Sequence, residues 1–203
     1  MSKKNIAILT IVLAVLIDQI TKIYVKTHFQ YNESVQVFDW FHIQFVENNG
    51  MAMGIEFGGS IGKLFLTLFR LLVVPAIIYW LITTLKKNMP TVVIVAIALI
   101  FSGAIGNIID SVFYGVIFDS PNHGVATLFP ETSYGTLFHG KVVDMFYFPI
   151  IQNANWPEWI PFIGGDSFSF FPYIFNPADA YITAGVILLF IFSKKAFPKE
   201  EKA

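Results

Sequence analysis

Four windows of roughly 20 mostly apolar residues, at 5–25, 61–85, 91–112 and 177–192, constrain this chain most, because about that length lets a helix cross about 30 Å of hydrocarbon. The last window is short, and apolar residues 171–175 extend it on its N-terminal side. The reading is an α-helical membrane protein with four transmembrane helices, organised over 1–203 as a single integral membrane domain. Composition points the same way: 55% hydrophobic and 17% aromatic residues against 13% charged, well outside soluble usage. Lys3 and Lys4 precede the first window as they would in a signal peptide. Its apolar run is longer than an ordinary signal core and no small-residue cleavage site follows, so a retained anchor is expected.

Basic residues orient the helices. Lys3 and Lys4, Lys86 and Lys87, and Lys194, Lys195, Lys199 and Lys202 make up eight of the 13 Lys and Arg. Short cytoplasmic loops carry the Lys/Arg excess, so both termini and the turn at Lys86 are expected in the cytoplasm. The outer segments, 26–60 and 113–176, then face away from it. Within the first, residues 35–45 alternate with a period of two and break near Asp39, which predicts a small sheet resting on the membrane surface. The second carries Pro121, Pro130, Pro149, Pro157, Pro161 and Pro172, too many interruptions for a long helix. A net charge of −1 offers no basic face for nucleic acid. The absence of Cys removes disulfides, thiolate metal ligands and thiol nucleophiles.

The costly residues are the informative ones. Asp18 falls inside the first span, Asp110 near the outer end of the third, Asp144 just before an apolar-aromatic run, and Asp179 at the start of the fourth. A charge at a span's centre costs roughly 2.5–3.5 kcal/mol on insertion scales and usually marks function. With the orientation above, all four acids lie toward the outer leaflet, beside Gln19, Thr21, Lys22, Asn107 and Asn176. Structural roles are also open at this stage. Asp18 and Lys22 form an i, i+4 pair, Asn107 and Asp110 could bond between helices, and Asn176 before Pro177 has the form of an N-cap.

The residue inventory narrows the chemistry. His28, His42, His123 and His139 show no metal-ligand spacing, so no metal is expected. Gly58-Gly59-Ser60-Ile61 lacks the glycine that follows the serine in rhomboid-type proteases, and Ile163-Gly164-Gly165-Asp166 departs from the presenilin-type Gly-x-Gly-Asp. Carboxylate chemistry remains, with one acid activating water and another protonating a carbonyl. A small transporter or proton pathway using intramembrane Asp and Asn is the alternative, though no pair of internal repeats supports it.

Laid out in order, these residues resemble lipoprotein signal peptidase, or signal peptidase II, along nearly the whole chain. Asp18-Gln19-Ile20-Thr21-Lys22 is similar to the family's Asp-Gln-x-Thr-Lys, and Asn48-Asn49-Gly50-Met51-Ala52 to its Asn-x-Gly-x-Ala loop. Gly103-Ala104-Ile105-Gly106-Asn107-Ile108-Ile109-Asp110 resembles its Gly-x-x-Gly-Asn-x-x-Asp helix, while Val142-Val143-Asp144 and Phe175-Asn176-Pro177-Ala178-Asp179 resemble the segments that bear its two catalytic aspartates. The resemblance implies an aspartyl endopeptidase of the bacterial inner membrane that cuts diacylglyceryl-modified prolipoproteins on the N-terminal side of the lipidated Cys, without cofactor. Asp144 and Asp179 would be the catalytic pair. Asp18, Lys22, Asn48, Gly50, Asn107, Asp110 and Asn176 would bind substrate or support the site, and prolipoproteins and membrane lipids would be the partners.

Two departures stand out. Ser111 occupies the position where the family's motif continues with Arg, so any contact made by that Arg is missing or supplied elsewhere, with Lys141 a candidate substitute. The stretches from Asp110 to Asp144 and from Asp144 to Asp179 are also longer than in compact members.

Overall fold

The computed structural model describes residues 1–49, 59–121 and 124–197. Among the described residues, three helices are long and apolar enough to cross a membrane: α1 (Lys3–His28), α2 (Gly59–Lys86) and α3 (Thr91–Ile109), the last prolonged through a π-helical turn at Asp110–Tyr114 and the single turn α4 (Gly115–Ile117). The fourth apolar helix, α5 (Pro177–Ile191), has only 15 residues, about 22 Å at 1.5 Å per residue. Residues 171–175 do not lengthen it, because Ile174 and Phe175 form a strand. Pro177 explains this boundary. The residue before a proline is pushed out of the helical region, and Asn176 is extended at φ −123° and ψ 172°. A final short turn, α6 (Ser193–Ala196), follows α5.

α3 is the central element, packed against α1, α2 and α5. Its glycines permit that proximity: a Cβ on Gly103 would collide with the Ala178 carbonyl of α5, and one on Gly106 with the Asp18 carboxylate of α1. Small residues that let backbones approach are the usual packing device between helices in lipid, where burying apolar surface gives little drive. The opposite faces are apolar and open, with Phe65, Leu72 and Tyr79 of α2 more than 70% exposed. Hydrocarbon is the solvent that such a surface requires.

Outside the helices lies a four-stranded antiparallel sheet in the order β1 (Ser34–Phe38), β2 (Phe41–Asn48), β3 (Val142–Tyr147) and β6 (Ile174–Phe175). The alternation at 35–45 is the β1–β2 hairpin, and its break near Asp39 is the turn. β4 (Ile151–Asn155) and β5 (Ser167–Phe170) pair separately between β3 and β6. The sheet thus joins Asp144, on β3, to the start of α5, which carries Asp179.

Candidate active site

The residues singled out by sequence converge where α1, α3, β2, β3 and the start of α5 meet. Gly50, Met51 and Ala52 lie outside the described residues. The arrangement has two tiers.

The lower tier is a buried ionic cluster. Lys22 lies 3.1 Å from Asp18 Oδ2 and 2.9 Å from Asp110 Oδ2, and all three side chains are 0% exposed. The i, i+4 pair read from sequence is therefore half of a triad that ties α1 to α3. Gln19 also crosses it, donating to Asp18 Oδ2 at 2.9 Å and Asp110 Oδ1 at 3.0 Å, while Tyr114 donates to Gln19 Oε1 at 3.2 Å. Each acid then holds a backbone N–H. Asp18 Oδ1 accepts from Ala178 at 3.0 Å, and Asp110 Oδ2 accepts from Val143 at 3.3 Å. Those residues immediately precede Asp179 and Asp144. The two buried carboxylates thus fix the backbone at the point where each upper-tier aspartate leaves it.

The upper tier is a chain of carboxamides between two carboxyl groups. Asp144 Oδ1 accepts from Asn176 Nδ2 at 2.6 Å and its Oδ2 from Asn48 Nδ2 at 3.1 Å. Asp179 Oδ1 accepts from Asn107 Nδ2 at 2.8 Å. The amides are themselves linked, Asn176 Nδ2 donating to Asn107 Oδ1 at 3.2 Å. Lys22 settles the orientation of Asn107: an ammonium has only donors, so the amide oxygen faces Lys22 at 2.8 Å and the NH₂ faces Asp179. Asn176 does cap α5, as its sequence context suggests, forming a capping box with Asp179, and it bridges to Asp144 with the same side chain.

The two aspartates have unlike surroundings. Asp144 is 3% exposed, whereas Asp179 is half-buried. Burial, helped by the negative charge of Asp179, raises the Asp144 carboxyl to about 7, against the amide hydrogen bonds from Asn48 and Asn176 that favour its ionised form. Between α1 and the β2–β3 strands, an apolar cavity of about 220 Å³ is lined by residues including Ile20, Tyr24, Val25, Ile43, Met145 and Phe146.

Several neighbours were not singled out by sequence. Lys26, wholly buried, pairs with Glu47 and lies 5.1 Å from the ring centres of Phe118 and Tyr134. Glu47 immediately precedes Asn48 on β2, so this pair secures the strand that presents Asn48. Lys141 does not replace the arginine expected at Ser111; its Nζ lies 3.1 Å from Glu47 Oε2 instead. The side chain that reaches Ser111 is Arg70 of α2, whose guanidinium is 3.3 Å from Ser111 Oγ. The signal for Arg70 was present in the sequence, as a lone arginine inside an apolar span.

Fold and site together define a multi-pass membrane protein with paired carboxyl groups set in a carboxamide framework. The family model described as signal peptidase (SPase) II matches residues 10–195. A lipoprotein signal peptidase of Porphyromonas gingivalis is 49% identical over 183 residues, covering 89% of this chain and 79% of the relative. One from Amoebophilus asiaticus is 34% identical, covering 91% and 75%. A bacterial membrane enzyme solved by the in meso method at 2.3 Å is similar in structure, with a TM-score of 0.60, 27% identity, and coverage of 97% of this chain and 93% of that one. The chain belongs to the signal peptidase II family. It is a bacterial membrane peptidase.

Proposed function

We propose that this peptidase removes the signal peptide from prolipoproteins by using Asp144 and Asp179 as a general acid–base pair. The observation that carries this reading is the unequal environment of two acids joined through Asn107 and Asn176. Asp144, desolvated and raised to about 7, holds the proton and gives it to the scissile carbonyl oxygen. Asp179, half-buried, is the carboxylate with access to water and takes a proton from the attacking molecule. Water oxygen bonds to the carbonyl carbon. The C–N bond then breaks as the proton held by Asp179 passes to the leaving nitrogen, and the carbonyl-side proton returns to Asp144. Products are a signal-peptide carboxyl group and a free amine. Asp18, Lys22 and Asp110 hold the backbone beneath this pair, Asn48, Asn107 and Asn176 orient it, and Gly50 binds substrate or supports the site.

The substrate in this reading is a diacylglyceryl-modified prolipoprotein cut before its lipidated Cys. The apolar cavity between α1 and β2–β3 suits an acyl chain, and burial contributes about 0.8 kcal/mol per CH₂. Both termini face the cytoplasm and the pair acts near the outer leaflet, supported by the clustering of Lys residues at 3–4, 86–87 and 194–202. The chain acts as one integral membrane domain over 1–203.

Two measurements check this. Matched peptides with and without the diacylglyceryl group, offered to the reconstituted enzyme, are expected to differ by orders of magnitude in kcat/KM; equal turnover would remove the lipid from recognition. The pH profile supplies the second. Because Asp144 must be protonated to act, turnover is expected to fall as pH rises through about 7, with the slope of one lost proton. A flat profile from neutral into alkaline conditions would reassign the acid.

A further inference from the structure

The chain contains one arginine, and it stands within an apolar helix. Arg70 is flanked by Phe69, Leu71 and Leu72 on α2, a setting in which a permanent guanidinium charge is costly unless it acts on other charges or on substrate. Its side chain is half-buried and directed inward, donating to Ser111 Oγ at 3.3 Å, and Ser111 in turn donates to the Asn107 carbonyl at 2.8 Å. Asn107 Nδ2 donates to Asp179 Oδ1 at 2.8 Å, so the bonded path from Arg70 ends on Asp179. Asp179 is the base of the proposed mechanism, and Asn107 is the residue that orients it.

Charge balance gives Arg70 a purpose. Lys22 stands against two carboxylates, Asp18 and Asp110, and Glu47 against two cations, Lys26 and Lys141, so among the described residues these two clusters offset one another. With Asp144 protonated, the charge on Asp179 is the one left to balance. Among the other cations near the cluster, Lys26 and Lys141 are engaged by Glu47, and Lys63 Nζ, two turns earlier on α2, lies 3.1 Å from Asn49 Oδ1. Among the described residues, Arg70 is the α2 cation bonded to the Asn107–Ser111 turn that orients Asp179.

We infer that Arg70 is a positioning residue of the active site, holding the Asn107–Ser111 turn through Ser111 and supplying the positive charge that balances Asp179. This rests on the reading of Asp144 and Asp179 as the catalytic pair. A guanidinium thus reaches position 111 from a different helix, at the point where the family's motif carries Arg.

The test uses the full-length enzyme in lipid with Arg70→Ala, Arg70→Lys and the double variant Arg70→Ala/Ser111→Arg. Arg70→Ala should lower kcat about 10- to 100-fold with KM little changed, the rate equivalent of one lost hydrogen bond to a charged group. Its pH–rate profile should move to higher pH, because carboxyl groups that lose a nearby cation hold their protons more tightly. Arg70→Lys should retain the charge and so the profile's position, with a smaller loss in rate. The double variant returns a guanidinium from α3 and should recover most of both. The groups that set this profile are Asp144 of β3, Asp179 of α5, Asp110 at the end of α3, Asp18 and Lys22 of α1, and Arg70 and Lys63 of α2.

Infrared titration of the Asp144 carboxyl, assigned with Asp144→Asn, reads the same shift without substrate. An inactive wild-type enzyme would therefore count against the peptidase mechanism while this shift stayed measurable. Cleavage by Arg70→Ala within threefold of wild type would overturn the inference. So would a loss of rate with neither a shifted titration nor recovery in the double variant.

Discussion

Asp144→Asn is expected to reduce cleavage of a lipidated prolipoprotein peptide by roughly 10²- to 10⁴-fold, the usual worth of a positioned general acid. The substitution is nearly isosteric and leaves an oxygen and an NH₂ where two carboxyl oxygens were. Asn176 and Asn48 both donate to Asp144, at 2.6 Å and 3.1 Å, so one of these contacts becomes donor against donor and the local cost is modest. The loss should therefore appear in turnover, with insertion and thermal stability close to wild type. Asp179→Asn should lose activity to a similar degree for the complementary reason: an amide cannot accept a proton from water. It also removes one arm of the capping box, so a small drop in stability should accompany it, typically about 1 kcal/mol for a lost cap. Rates under single-turnover conditions, with melting temperatures on the same samples, check both.

The largest effect on stability is expected from Lys22→Met. Methionine fills much of the same volume but strands Asp18 and Asp110, two fully buried carboxylates at 3.1 Å and 2.9 Å from the lost ammonium. Breaking a buried ion pair by removing one partner costs about 3–5 kcal/mol, and here two acids lose their shared counter-charge. Asn107 loses the contact that fixes its amide orientation as well. Activity should fall with stability, because Asp18 and Asp110 hold the backbone before Asp179 and Asp144. Thermal unfolding in lipid or detergent measures this. A melting temperature within a few degrees of wild type would show that the cluster is not what holds α1 to α3. The triple replacement of Asp18, Lys22 and Asp110 by apolar residues of similar size should be less destabilising than Lys22→Met alone, since it leaves no uncompensated charge.

The spans and the acids were legible because each depends on local sequence. Apolar length marks α1, α2 and α3, alternation marks the β1–β2 hairpin, and Asn176-Pro177 marks the start of α5. The same proline stops residues 171–175 from extending α5, a limit that was present in the sequence but outweighed by their apolar character. The π-helical turn at Asp110–Tyr114 carries α3 on to Ile117, beyond the expected end near Val112, and no Gly or Pro pattern announces it. Such a turn re-aims side chains by one position, a common device at functional sites.

Pairings between distant elements were not legible. Nothing local tells that Lys22 serves Asp110 as well as Asp18, that Glu47 takes both Lys26 and Lys141, or that Arg70 reaches Ser111. Each depends on which helix faces α3 and at what depth, and that is set by contacts such as Gly103 against Ala178 and Gly106 against Asp18. Charged residue types in costly surroundings identify the participants, but tertiary packing assigns the partners.

The central claim, that Asp144 and Asp179 work as one unit on a single water, is tested most directly by a double-mutant cycle. Wild type, Asp144→Asn, Asp179→Asn and the combined variant would be compared under single-turnover conditions on the same lipidated peptide, with the cut site read by mass spectrometry. Residues that act together are strongly non-additive, so the combined variant should be only a few-fold slower than either single one, and any product should begin at the lipidated Cys. A combined loss equal to the product of the two single losses, or near-normal cleavage by either single variant, would contradict the account.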